Sequence, residues 1–353
     1  MKDNHFICIM AGGSGERFWP MSRRKKPKHL LNLFSDITLV EETVCRALKV
    51  VPASQVFILT NEAQLEATRL AVSSLPPEQI LAEPAKRDTA PAAALATALA
   101  KIRHPDAVVC LLPADALIRQ SDVLAAQLSD AFETAEKTGA FLTFSIRPSF
   151  PSTGFGYLEL GETCSEASGK TVFRRVVCFV EKPDAATAER YVASGRFGWN
   201  AGMFIWKADS FLQEADRHMP ELSAFVREFP KNGVENYLKE KFPLLPKISV
   251  DYAIMEKAAS VVAAEAAFDW DDVGAWTALP AHLPMDGSGN TVRGETAIHG
   301  STGNIVIGNG RLIALCGVRD LVVVETPDAI LVCHRDAVQD IKKLQPSLPE
   351  NLL

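Results

Sequence analysis

No stretch of the chain is apolar for long enough to cross a bilayer, and the opening MKDNHFICIMAGG turns to glycine after five apolar residues. That opening reads as a first strand and not as a signal peptide or anchor. Cysteine is sparse: the seven are scattered, odd in number and without a CxxC pair. This excludes a disulfide scaffold and fits reduced thiols in the cytoplasm. Basic charge is not in excess either, with 37 Lys and Arg against 43 Asp and Glu, a net charge of -6. Broad binding of a DNA or RNA phosphate backbone is thereby excluded, so any phosphate is held locally. Hydrophobic residues at 47% and charged residues at 23% carry none of the bias of disordered or fibrous chains. A length of 353 residues suits one large catalytic domain with a smaller appendage.

What is present up to residue 146 is an alternation. FICIM, VFILT, QILA, AVVCLLP and AFLTFSI read as buried strands, and residues 40–50, 62–73, 91–101 and 122–137 have helical length and spacing between them. Strand, helix, strand in repetition predicts an α/β fold, a Rossmann-like, mainly parallel sheet flanked by helices, with ligands beyond the carboxyl ends of the strands. Beyond residue 148 longer strand-like stretches at 157–160, 172–181 and 203–206, with helices near 185–194 and 252–259, suggest an insertion that completes a pocket. After residue 290, NIVIG, RLIALCG, LVVVET and AILVCHRD are short, regularly spaced strands. They predict a small β-rich, β-helix-like C-terminal domain closed by a helix near 337–344. The expected domains are 1–286 and 287–353.

Directly after the first strand come Gly12, Gly13, Ser14 and Gly15, then Arg17, Arg23, Arg24, Lys25, Lys26 and Lys28. Glycines let backbone N–H groups turn onto phosphate oxygens, and the basic residues supply charge. The loop is not a Walker A motif, because no Gly-Lys-Ser/Thr follows, and Phe18 stands where a dinucleotide fingerprint has its third glycine. Two further features belong to phosphate chemistry. Asp115 follows the strand AVVCLLP, and FDWDDVGAW holds Asp269, Asp271 and Asp272. A Mg²⁺ ion on substrate phosphates needs only one or two carboxylates; taken alone, these aspartates read equally as a turn residue and helix caps.

GGSGERFWPMSRRKKPKHLL resembles the signature loop of the nucleotide-sugar pyrophosphorylases, most closely that of the mannose-1-phosphate guanylyltransferases, GGSGxRLWPLSRxxxPKQ, with His29 in the place of Gln. The resemblance implies that Gly12 and Gly13 lie against the nucleotide, that Arg17 grips the departing pyrophosphate and that Lys28 reaches the phosphates. LPADAL is similar to the family's LPADH, with Ala116 in place of His, and WDDVGAW to its WxDVGxW; by that likeness Asp115 and Asp272 are the metal ligands. EPAKRDTAPAAA resembles EPxxRNTAPA, which assigns Glu83 and Thr89 to the nucleotide, Glu83 accepting from the ring N–H and exocyclic amine of guanine; Asp88 replaces Asn. TGFGYLEL, FVEKP and WNAGMF likewise assign Gly156, Glu181, Lys182 and Asn200 to the sugar phosphate. SVDYAIMEK also matches, with Asp251 and Glu256 as suited to a structural role as to a substrate-facing one.

The implied reaction joins GTP to mannose 1-phosphate with Mg²⁺, in a soluble enzyme for which a homodimer is the candidate assembly. A sugar 1-phosphate is already an anionic nucleophile, so no general base is required, and the lack of a Ser/His/Asp or Cys/His constellation is expected. Another base or sugar, or a non-catalytic nucleotide-sugar sensor of the same fold, are the alternatives. Longer bifunctional relatives carry an added isomerase domain of cupin type, for which this chain is too short.

Overall fold

The run HFICIM is apolar on both faces, as a strand covered by helices on each side must be, and it forms β1 (His5–Met10) inside a nine-stranded sheet. The computed structural model describes residues 2–13 and 15–353; Ser14, part of the glycine-rich loop, lies outside the described residues. From β1 the chain runs through α1 (Leu39–Ala47), β2 (Val56–Asn61), α2 (Leu65–Ala71), β3 (Ile80–Glu83), α3 (Thr89–Lys101), β4 (Val108–Pro113), α4 (Ser121–Thr138) and β5 (Phe141–Ile146). All five strands expected in this region are present. There follow β6 (Tyr157–Thr163), β7 (Phe173–Val180), α5 (Ala185–Ser194), β8 (Phe197–Lys207), α6 (Ala208–His218), α7 (Pro220–Arg227), α8 (Val234–Lys241) and β9 (Val261–Glu265).

The strand order is β3-β2-β1-β4-β8-β5-β9-β7-β6. β3, β2, β1 and β4 are parallel, the Rossmann-like part. β8 then enters antiparallel between β4 and β5, setting Val109 against Trp206 and Leu142 against Ile205. Alternation along β1 divides the core. Ile7 and Ile9 face a cluster that includes Val40 of α1 and Leu128 of α4. Phe6 and Cys8 face the other side, with the alanines of α3 and Phe211 of α6.

The C-terminal part consists of β10 (Thr291–Arg293), β11 (Thr296–His299), β12 (Ile305–Ile307), β13 (Ile313–Cys316), β14 (Leu321–Glu325) and β15 (Ile330–His334). β10, β12 and β14 pair in parallel, as do β11 and β13, which is the stacking of successive coils in a β-helix; β15 closes it antiparallel. Two expected helices take other forms. Residues Arg335–Ser347 are a 3₁₀ coil, in which the buried Val338 and Ile341 stand three apart, the 3₁₀ period. Near 252–259 there is only a wide π-helical turn, Asp251–Met255. A third apolar cluster spans both parts of the chain, packing Phe18, Trp19 and Trp276 with Ile305, Val322 and Ile341.

Candidate active site

β1 and β4 are neighbours in register, Met10 opposite Pro113, so their carboxyl ends release two turns side by side. One carries the glycine-rich loop and the other Asp115. Gly12 and Gly13 are exposed, and a Cβ on either would meet nothing within 4 Å, so this stretch of backbone is free for a ligand to approach. Gly15 differs: its φ is +60°, and a Cβ there would stand 2.4 Å from Lys28 Cβ and 2.6 Å from the Lys28 backbone nitrogen. The loop is thus closed onto Lys28.

Lys28 is buried in the 3₁₀ turn Lys28–Leu30. Its Nζ lies 2.9 Å from Asp115 Oδ2 and donates to the Asp272 carbonyl at 2.5 Å. Three motifs far apart in sequence therefore meet at one ammonium. Arg17, on the turn Glu16–Phe18, forms no ion pair among the described residues, and its Nε is buried without a hydrogen-bond partner. These groups border an open cleft of about 460 Å³, which Lys342 from the C-terminal coil also lines.

Charge in the cleft is finely set. Burial pushes Asp115 up, but the charge and hydrogen bond of Lys28, helped by His29, bring it below the ordinary aspartate value. Asp272 has less relief: burial, joined by the Asp271 and Asp115 carboxylates, holds it at about 6 against the pull of Lys28 and Arg17. Burial pulls His29 down to about 4. It is neutral at pH 7, a neutral polar group where the family has another, Gln.

Of the aspartates in FDWDDVGAW, only Asp272 borders the cleft. Asp269 accepts from the Arg119 and Gln120 N–H groups ahead of α4. Asp271 accepts from the Val273 N–H, and its Oδ2 lies 2.6 Å from His282 Nε2, so it is engaged in holding the loop.

Glu83 is the last residue of β3, and burial pushes it up to about 8. Asp88 caps α3 by accepting from the Thr89 N–H at 2.9 Å. The Thr89 hydroxyl accepts from the Val250 N–H, which leaves its proton for a ligand. Val250 precedes Asp251, and Asn200 Nδ2 donates to Asp251 Oδ1 at 3.3 Å, so the segment 248–251 links the Glu83 side to the other group of motifs. There, the Asn200 N–H donates to the Gly156 carbonyl, and a Cβ on Gly156 would stand 2.5 Å from Glu181 Oε2. Lys182 Nζ is 2.6 Å from Glu181 Oε1. Burial and then the Glu181 charge raise Asp251 to about 6, which marks it as a member of this cluster.

One expectation is corrected. The basic run does not serve as a single phosphate-facing patch. Arg23 pairs with Asp328 at 2.9 Å and Arg24 with Glu350 at 2.7 Å. The Trp19 indole N–H donates to the Leu352 carbonyl, and the Arg24 N–H to that of Leu353. These arginines fasten the C-terminal part to the loop, because opposite charge across the fold, invisible in the run itself, claims them. Sequence reasoning missed Lys342, which lies in a polar coil with no motif around it.

Residues 7–284 match the family described as Nucleotidyl transferase, and residues 296–348 match the MannoseP isomerase/GMP-like beta-helix domain. The mannose-1-phosphate guanylyltransferase of Escherichia coli (strain K12) is 38% identical over 347 residues, covering 96% of this chain and 72% of the relative. The alginate biosynthesis protein AlgA of Pseudomonas aeruginosa is 36% identical over 353 residues, covering 96% and 71%. A crystal structure from Thermus thermophilus, of a protein named mannose-1-phosphate geranyltransferase, superposes with a TM-score of 0.88 at 31% identity, covering 98% of this chain and 99% of that one. With the likeness running through both the sheet and the β-helix, the chain belongs to the nucleotidyl transferase family and, within it, to the mannose-1-phosphate guanylyltransferases.

Proposed function

We propose that this protein transfers GMP from GTP to α-D-mannose 1-phosphate, giving GDP-mannose and pyrophosphate. In this scheme Arg17 and Lys28 act on the phosphates; Gly12, Gly13, Glu83 and Thr89 hold the nucleotide; and Gly156, Glu181, Lys182 and Asn200 hold the sugar phosphate. The observation that carries it is the cleft itself, which is bordered by Arg17, without an ion pair among the described residues, and by a buried lysine held between two aspartates. Residues 1–286 are taken as the catalytic unit and 287–353 as the β-rich one.

The nucleophile arrives already ionised, so the chain's residues have only to align its oxygen with the α-phosphorus and offset charge as pyrophosphate departs. Lys182 is suited to the sugar phosphate, and Arg17 with Lys28 to the triphosphate. The donor set fits Mg²⁺: two hard carboxylates, Asp115 and Asp272, the second held at about 6 by burial and its neighbours' charge, a state that a hard cation relieves. When bound, the ion supplies further positive charge to the phosphates.

Pyrophosphate release from GTP and ATP against mannose, glucose and fucose 1-phosphates tests the proposal. GTP with mannose 1-phosphate is expected to lead by a wide margin. Another leading pair would redirect the specificity, and binding of GDP-mannose without turnover would favour a sensor.

Glu83 supplies a separate test. Only its ionised form accepts both guanine N–H groups, and burial raises the free carboxyl to about 8. The affinity for GDP-mannose, whose own phosphates do not titrate in this range, is expected to fall about tenfold per pH unit below 8. Glu83→Gln should flatten that slope in calorimetric titrations between pH 6 and 8.5. A wild-type affinity independent of pH, together with an unchanged affinity in Glu83→Gln, would remove Glu83 from the guanine site.

No helix among the described residues is long and apolar enough to cross a membrane, and all seven cysteines are free. We assign the protein to the cytoplasm on the free thiols. Assembly as a homodimer is supported by exposed Ile330 and Val332 on β15, and sedimentation tests it.

A further inference from the structure

One residue on the phosphate cleft comes from the other end of the chain. Lys342 lies on the 3₁₀ coil Arg335–Ser347 and borders the same opening as Glu16, Arg17, Lys28, Asp115 and Asp272. The backbone beneath it is anchored. Ile341, the preceding residue, is buried in the cluster that holds Phe18, and the coil packs against the turn Glu16–Phe18 that carries Arg17. Just beyond the coil, the bonds from Trp19 to Leu352 and from Arg24 to Leu353 tie the chain to the signature loop again.

The two lysines of this coil differ in one respect. Lys343 pairs with Asp340 at 2.7 Å. Lys342 forms neither an ion pair nor a side-chain hydrogen bond among the described residues, and neither does the Arg17 guanidinium form an ion pair. Two cations from opposite ends of the sequence therefore border one opening, and neither forms an ion pair with the Glu16 or Asp272 carboxylate that shares it, though Asp272 feels the charge of Arg17. The carboxylate of Asp115 is engaged with Lys28. Cations left without counter-ions around a cleft form a site for a polyanion, and a flexible lysine can reach a phosphate as a point charge.

We infer that Lys342 contacts substrate: its ammonium binds the β- and γ-phosphates of the nucleoside triphosphate and stays on them as they become pyrophosphate. This rests on the proposed reaction, in which a bond forms between the mannose 1-phosphate oxygen and the α-phosphorus. The bond from the α-phosphorus to the α,β-bridging oxygen breaks, and its electron pair leaves on pyrophosphate. No proton transfer is required of Lys342. The β-helix then supplies part of the active site and is not only a support for it.

The experiment compares full-length wild type with Lys342→Gln, Lys342→Arg and Lys343→Gln. Binding of inorganic pyrophosphate with Mg²⁺ is measured by calorimetry, and steady-state kinetics are measured with each substrate varied. Loss of one charge-assisted contact predicts that Lys342→Gln weakens pyrophosphate binding and raises the KM for GTP by about ten- to a hundredfold. The KM for mannose 1-phosphate and the Tm should hold, Lys342→Arg should retain most of the affinity, and Lys343→Gln should match wild type. Unchanged pyrophosphate binding in Lys342→Gln overturns the inference, as does an equal loss in Lys343→Gln, which would indicate only a diffuse field. If wild type turns over a different nucleotide and sugar pair, the proposed specificity fails while the pyrophosphate titration still decides Lys342. If wild type binds no pyrophosphate, both fail.

Discussion

Replacing Asp115 with alanine is expected to lower kcat by on the order of a thousandfold or more while the protein stays folded. The carboxylate has two tasks in the proposed site, as a metal ligand and as the partner that holds the Lys28 ammonium in place, and both serve the moment when pyrophosphate leaves. Folding should survive because the Asp115 side chain, although crowded by the groups around it, opens onto the cleft, so that its loss leaves no closed cavity. Lys28 keeps its bond to the Asp272 carbonyl, so the cost of its lost partner should be about 1–3 kcal/mol, a part of a typical stability of about 5–15 kcal/mol. Asp115→Asn separates the tasks, since it preserves shape without charge and should be nearly as inactive. The check is kcat at saturating Mg²⁺ beside a urea unfolding curve. Near-normal turnover in either variant would remove Asp115 from the metal site.

Gly15→Ala is expected to damage stability and turnover together. The backbone there is left-handed, which costs an alanine about 1–2 kcal/mol. The added Cβ would also stand 2.4 Å from Lys28 Cβ and 2.6 Å from its backbone nitrogen, and no flexible chain end can swing aside to admit it. Overpacking of this kind costs about 1–3 kcal/mol more. The loop must move, Lys28 with it, and a displacement near 1 Å at a reacting group can cost about a hundredfold in rate. Gly13→Ala is the control for stability, because its Cβ would meet only open space. Equal urea midpoints for Gly15→Ala and Gly13→Ala, with kcat of the former intact, would show that the closure of the loop on Lys28 is immaterial.

The parallel half of the fold was readable because each of its strands is a continuous apolar run ending in punctuation, and covering both faces of a sheet demands such runs. β8 was readable only in part. Its stretch Met203 to Trp206 looks like any strand, but its place between β4 and β5 depends on pairing Val109 with Trp206, a contact without local signature. β9 is short and rich in alanine, and β10 (TVR) and β11 (TAIH), the same lengths as β12 and β13, carry Thr, Arg and His in place of an apolar run.

The site divides in the same way. Asp115 and Lys28 stand in motifs whose likeness to the family proposed them, and the structure brings the two within 2.9 Å of each other. Arg23 and Arg24 stand in the same motif and were misjudged, because a basic run shows its charge but not the acidic partners, Asp328 and Glu350, that the fold sets across from it. Asp271 and Asp272 are adjacent, yet the bonds of one to His282 and the Val273 N–H separate their roles.

The shared apolar cluster has a consequence for the order in which the protein can become active. Translation delivers the signature loop among the first residues, but the Leu352 carbonyl that receives the Trp19 indole follows 333 residues later. At a synthesis rate of roughly 5–20 residues per second, the loop waits tens of seconds for its partner. Through that interval the parallel sheet can fold behind it, while Phe18 and Trp19 still lack Ile305, Val322 and Ile341 as neighbours. A nascent chain stalled near residue 290 should accordingly hold a formed sheet and an unfinished phosphate site, so that catalytic competence arrives late and with the β-helix.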